Sequence, residues 1–85
     1  MAIEMLYFAW VRERMGRAQE VVTPPAEVTT VAALVDWLAA RDDAAGAALE
    51  DRGRLRAAVD QTFVGMDASI VGAREIALFP PVTGG

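Results

Sequence analysis

An α+β fold is predicted for this 85-residue chain by three observations: one stretch of strong helical periodicity near its middle, short β-branched or alternating runs on either side, and no repeat or composition shift to separate a second domain. The expected order is strand, strand, helix, strand, short strand, strand. The length suits one domain, near the size at which a chain buries only about 60% of the surface its unfolded form exposes. Seventeen alanines inflate the 54% hydrophobic fraction, so the core must rest on few large side chains.

Ile3-Glu4-Met5-Leu6-Tyr7-Phe8 is too short and too aromatic for a helix and is predicted to be a strand buried on both faces. Ala9 to Met15 carries Arg12, Glu13 and Arg14 and is followed by Gly16, which suits one or two helical turns stopped by glycine. Gln19 to Thr23 contains Glu20-Val21-Val22, a strand that Pro24-Pro25 must end because proline offers the sheet no donor. These two strands make a first hairpin with a long connection. Between Thr30 and Ala40, Val31, Leu34, Val35 and Leu38 fall at i, i+3, i+4 and i+7, so the main helix presents one apolar stripe to a sheet, with Thr29 or Thr30 as its cap. Asp43 to Arg52 is a second helical stretch, with Asp43 as cap candidate and Gly53 as stop. Leu55, Ala57 and Val59 then alternate with Arg56, Ala58 and Asp60, the pattern of a strand wet on one face. A tight turn at Asp60-Gln61 leads into Thr62-Phe63-Val64, a loop with Gly65 and Gly72 follows, and Glu75 to Phe79 is the last strand. The domain is taken as residues 1–79, with an extended tail over residues 80–85.

The composition removes most catalytic chemistry. There is no Cys, His or Lys, all eight basic residues being Arg, so thiol nucleophiles, zinc clusters, imidazole bases and lysine Schiff bases are excluded. Twelve acidic residues against eight basic give a net charge of −4, which argues against nucleic acid and anionic membranes as partners. No apolar run reaches the roughly 20 residues of a membrane span, and the N-terminus has no basic segment or cleavage site, so a cytoplasmic protein is expected. Asp42-Asp43 and Glu50-Asp51 lack the spacing of a metal loop, and Gly65 and Gly72 form no phosphate-binding motif; no metal site is expected.

The tail carries the one chemical feature left. Pro80 and Pro81 favour a stiff, extended exit, Val82 and Thr83 are β-branched, and Gly84 and Gly85 have no side chains. Extended, the six residues reach about 20 Å, enough to enter a partner's active site while the domain stays outside. A terminal carboxylate on Gly85, with an ordinary pKa of about 3.3–3.7, is ionised at neutral pH and can attack an activated phosphate to form a mixed anhydride. A Gly-Gly ending alone arises by chance in about one chain in 200, but its union with Pro-Pro and an apolar last strand is specific.

Phe79-Pro80-Pro81-Val82-Thr83-Gly84-Gly85, with Tyr7-Phe8-Ala9-Trp10-Val11-Arg12-Glu13 near the start, resembles the small, sulfur-carrying subunits of molybdopterin synthase. The resemblance runs the length of the chain and implies a ubiquitin-like β-grasp: a mixed sheet of about five strands packed on one main helix. It further implies that the chain has no catalytic groups and binds no cofactor of its own. By this resemblance Gly85 is expected to be adenylated by an ATP-dependent, ubiquitin-activating-like adenylyltransferase, to receive sulfur from a sulfurtransferase donor as a thiocarboxylate, and to give it to cyclic pyranopterin monophosphate to build the molybdopterin dithiolene. The implied partner is the large catalytic subunit, in a heterotetramer of two small and two large subunits, with Pro80 to Gly84 as the inserted segment. Two places depart from the family pattern: Asp60 stands where Asn is usual, and Ala73-Arg74 where Gly-Asp is usual, with Gly72 one place early.

Phe8, Leu78 and Phe79 are either simple core or, as one alternating set, an apolar patch facing the large subunit; Arg12 is either a solvated helix residue or an ion-pair partner across that interface. Carriers for thiamine or other sulfur pathways share the Gly-Gly ending, and a ubiquitin-like modifier conjugated through Gly85 is the rival from another class.

Overall fold

The last strand in sequence is the central strand in space. In the computed structural model, which describes residues 1–81, the elements are β1 (Ile3–Tyr7), α1 (Ala9–Met15), β2 (Gln19–Val22), α2 (Val31–Ala39), α3 (Asp43–Ala48), a 3-10 turn (Arg52–Arg54), β3 (Arg56–Val59), β4 (Thr62–Val64) and β5 (Glu75–Phe79). The five strands form one mixed sheet in the order β2-β1-β5-β3-β4, in which β1 and β5 are parallel and the other pairs antiparallel. This is the α+β, β-grasp arrangement that the resemblance implied. Of the tail, only Pro80 and Pro81 are described, both half-buried and outside the strand; Val82, Thr83, Gly84 and Gly85 lie outside the described residues.

Helices cover one face of the sheet. The α2 stripe of Val31, Leu34, Val35 and Leu38 is fully buried, as its spacing predicts, against Ile3, Met5 and Tyr7 of β1 and Ile76 and Leu78 of β5 in one cluster. Burial of each such side chain contributes about 1.5–3 kcal/mol. Thr30 caps α2, its Oγ1 accepting from Ala33 N at 3.1 Å, and the loop after β4 closes on the same end, where Ala68 O and Met66 O accept from Val31 N and Ala32 N. Three of the helix's orphan donors are thereby satisfied.

Two expectations need correction. β1 is not buried on both faces: Ile3, Met5 and Tyr7 are buried, Glu4 is exposed and Leu6 half-buried, because no helix covers the second face. The second helix is shorter than its predicted span and begins one residue earlier at its cap. Asp42, not Asp43, is the N-cap, its Oδ1 accepting from Ala45 N at 2.7 Å, and α3 ends at Ala48. Its weak periodicity has a packing cause. A Cβ on Gly46 would lie 3.2 Å from Ala39 O, so α3 approaches α2 too closely for anything larger to fit without a shift.

The departures from the family pattern have local explanations. Asp60 (φ 47°) and Gln61 (φ 73°) both adopt left-handed backbone, as a two-residue hairpin turn of this hand requires. Asp tolerates that conformation, and Asp60 Oδ1 also accepts from Arg74 N at 3.0 Å and Glu75 N at 2.9 Å, tying the turn to the start of β5. Gly72 has φ +81° and so supplies the left-handed position of the loop before β5.

Candidate functional site

The uncovered face of the sheet is apolar at its centre. The strand register sets Leu6 beside Ala77, Ala77 beside Ala58 and Ala58 beside Phe63, a row crossing four strands. Phe8 and Phe79 extend it toward the C-terminal end of β5. Together with Gln61 and Glu75 at the rim, these side chains line an open depression of about 440 Å³. Phe63 is 73% exposed and Phe8 49%, an unusual surface for large aromatics on so small a chain. Ala58 and Ala77 are buried between them because they are small, so the aromatics stand proud of a shallow floor.

The chain leaves this face directly into the tail. Phe79 is the last residue of β5 and belongs to the apolar depression, and Pro80 follows it. Phe8 is held at the same end by its N–H, which donates to Leu78 O at 3.2 Å. Immediately after it Ala9 takes φ 52°, a left-handed conformation that costs a residue with a Cβ about 1–2 kcal/mol. That turn redirects the chain from β1 into α1 and leaves Phe8 on the open face.

Of the four residues expected to face a partner, the structure brings two together. Phe8 and Phe79 share the depression. Leu78 points to the opposite side, where it is fully buried in the core, so it has no surface to present; the period of two within β5 separates it from Phe79. Arg12 is exposed on α1, in a shallow polar depression with Glu13, Gly16 and Arg17, away from the apolar row. Leu6, Phe63, Ala58 and Ala77 were missed. Applying the two-residue period to Leu6-Tyr7-Phe8 and Ala77-Leu78-Phe79 places Leu6 and Ala77 on the open face. The Asp60-Gln61 turn sets Phe63 opposite Ala58.

Behind the sheet edge sits a polar knot of different character. Tyr7 Oη donates to Glu20 Oε2 at 2.6 Å, Arg41 donates to both Glu20 oxygens at 2.7 and 3.2 Å, and Arg17 donates to Oε1 at 3.0 Å. Burial, then the hydrogen bond to Glu20 and its charge, push the Tyr7 hydroxyl far above the ordinary phenol range. Burial works to raise the Glu20 carboxyl as well, but the bonds from Arg41 and Tyr7 and the two guanidinium charges outweigh it and hold Glu20 below its ordinary value. The hydrogen bond to Glu20 holds Arg41 above its own. The knot pins edge strand β2 to β1 and to the end of α2. Every member is satisfied, so it reads as structure rather than chemistry.

Among the described residues no group of His, Cys, Asp and Glu can hold a metal ion, and no helix is long and apolar enough to cross a membrane. Residues 5–85 match the model of the ThiS family. The chain is 49% identical over 84 residues to the molybdopterin synthase sulfur carrier subunit of Escherichia coli, covering 98% of this chain and 99% of that one. It is 35% identical to the subunit of the same name from Haemophilus influenzae, over 98% and 99% of the two chains. Among solved structures it is similar to the small archaeal modifier protein 1 of Haloferax volcanii, with a TM-score of 0.70, 25% identity and coverage of 95% and 98%.

Proposed function

The chain belongs to the ThiS family, and from that premise we propose that it is the sulfur carrier subunit of a molybdopterin synthase, acting through its C-terminal glycine. One observation carries the reading beyond likeness. Phe79 is at once a wall of the apolar face and the residue from which the tail departs, so a partner that covers the face receives the tail. The partner is the large subunit of the synthase. Phe8, Phe63 and Phe79 dock on it, and Pro80, Pro81, Val82, Thr83 and Gly84 run into its active site.

The chemistry resides in one carboxyl group. A Gly85 carboxylate oxygen attacks the α-phosphate of ATP on an activating enzyme, pyrophosphate leaves, and an acyl adenylate forms. The terminal sulfur of a donor persulfide then attacks the acyl carbon as AMP departs, giving an acyl disulfide. A second donor thiol cleaves its S–S bond to release the Gly85 thiocarboxylate and leave a disulfide on the donor. In the synthase that sulfur passes to cyclic pyranopterin monophosphate, and water supplies the oxygen that takes its place on the acyl carbon and restores the carboxylate. The folded domain contributes recognition and reach, and no group of its own takes part in bond making. Glycines at the last two positions keep the carboxyl approachable from all sides. Deleting Gly85 is expected to abolish sulfur transfer while binding to the large subunit persists; a truncated chain that still supports molybdopterin synthesis overturns the proposal.

A second reading has one specific support, the likeness to a protein named as a modifier. On that reading Gly85 is joined to lysines of target proteins. Immunoblots of cell extracts then show high-mass conjugates that vanish when Gly84 and Gly85 are removed, whereas a dedicated sulfur carrier yields none.

A further inference from the structure

Two arginines converge on one tryptophan beside the tail exit. The guanidinium carbon of Arg14 lies 4.8 Å from the Trp10 ring centroid and that of Arg54 lies 5.8 Å from it. The topology fixes where this happens. β5 runs parallel to β1 and antiparallel to β3, so the residues that follow β1 and those that precede β3 gather at the C-terminal end of β5. Trp10 comes from the first group and Arg54 from the second, and Arg56 is the register partner of Phe79 itself.

Arg17 and Arg41 are paired with Glu20 and Arg52 with Asp36, whereas Arg12, Arg56 and Arg74 have no salt bridge among the described residues. Among the described residues Arg14 and Arg54 have no carboxylate partner, although the chain holds twelve acidic residues against eight basic. Bringing two like charges onto one ring is unfavourable unless something opposes them. Stacking on the indole orients each guanidinium but leaves its in-plane N–H groups free, the geometry that grips a carboxylate with two hydrogen bonds. Glu4 and Glu75 are register neighbours at the opposite end of the face, next to Asp60, and in the segments at the collar's own end Glu13, Glu50 and Asp51 are outnumbered by Arg12, Arg14, Arg52, Arg54 and Arg56.

We propose that Trp10, Arg14 and Arg54 form a basic collar at the tail exit that docks on an acidic segment of the protein that receives the tail. The inference rests on the sulfur-carrier reading for the identity of that protein, the large synthase subunit. A carboxylate-bearing protein surface fits better than a nucleic acid, because a polyanion extending past the collar meets a chain whose overall charge is −4. Trp10 packs against the helix-covered core, while Arg56 at the same end of the sheet is the register partner of Phe79, so collar and apolar face lie at one end of the sheet and engage one partner together.

The test is calorimetric binding of the full chain to the large subunit at low and high salt, comparing wild type with the double variants Arg14→Glu/Arg54→Glu and Arg14→Lys/Arg54→Lys. Circular dichroism checks that each variant is folded. The charge-reversed chain is expected to bind about tenfold or more weakly at low salt and to lose much of the wild-type salt dependence, with the lysine pair intermediate. Wild-type binding that the reversal leaves unchanged overturns the collar alone, as does wild-type binding of a single-stranded oligonucleotide that competes with the large subunit and is lost on reversal. Wild type that does not bind the large subunit at all overturns the sulfur-carrier reading.

Discussion

Phe63 of β4 and Phe79 of β5 meet with ring centroids 5.2 Å apart and planes inclined at 41°, although β3 runs between their strands. They reach each other because Ala58, on the intervening strand, is too small to hold them apart. A tilted pair at this separation contributes about 0.5–1.5 kcal/mol beyond its area. It also pre-positions the aromatic on the strand that launches the tail. Since Phe63 is mostly exposed, Phe63→Ala is expected to lower stability by little more than the loss of this pair, about 0.5–1.5 kcal/mol in urea unfolding. Its affinity for the large subunit should fall by about 2 kcal/mol, as for a central aromatic anchor. Unchanged affinity would remove Phe63 from the docking face.

Ala9 holds a left-handed backbone between strand and helix, φ 52°. Glycine adopts that conformation without a Cβ penalty but has more freedom to lose on folding. The strain is the larger effect, so Ala9→Gly is expected to raise the urea midpoint by the equivalent of about 0.5–1 kcal/mol. A lowered midpoint would show that the turn is not strained.

Glu20 has a folded pKa below its unfolded value of about 4.3. The unfolded chain therefore binds the proton first, and the stability that Glu20 contributes is complete above that value and lost as pH falls through the folded pKa. Chemical unfolding followed from pH 7 to pH 3 should show a steeper loss in wild type than in Glu20→Gln, whose stability at pH 7 is already lower. Parallel profiles would remove Glu20 from the acid response.

Tyr7 runs the other way. Its folded pKa is raised, so the contribution is complete below the unfolded value of about 10 and is lost as pH climbs beyond it. Tyr7 is the only tyrosine, which makes tyrosinate absorbance a specific reading. The signal should appear only as the fold is lost, coincident with the far-ultraviolet dichroism. Reversible ionisation near pH 10 in a folded chain would mean that the bond to Glu20 is not made.

The main helix was readable because its four branched residues obey one period and its cap is a threonine, both local properties. The Asp60-Gln61 turn and every strand were visible for the same reason. The placement of β5 between β1 and β3 depends on pairing across the whole chain, and no window of sequence contains it. That placement decides which side of β1 is left open, and so puts Leu6 on the open face of a strand whose sequence reads as buried on both. Leu78, for which the sequence leaves core and interface open, is core because it stands one step of the strand period from Phe79. Trp10, Arg14 and Arg54 come together only through the order of the strands, so the collar had no sequence signature.

The most direct measurement is the intact mass of the chain after incubation with ATP, its activating enzyme and a sulfur donor, with the modified residue located by fragmentation. The expected result is a population heavier by one sulfur in place of one oxygen, mapped to Gly85, absent without ATP and lost on incubation with the large subunit and the pterin precursor. An unmodified Gly85 under these conditions, with both partners shown to bind, would contradict the proposed role.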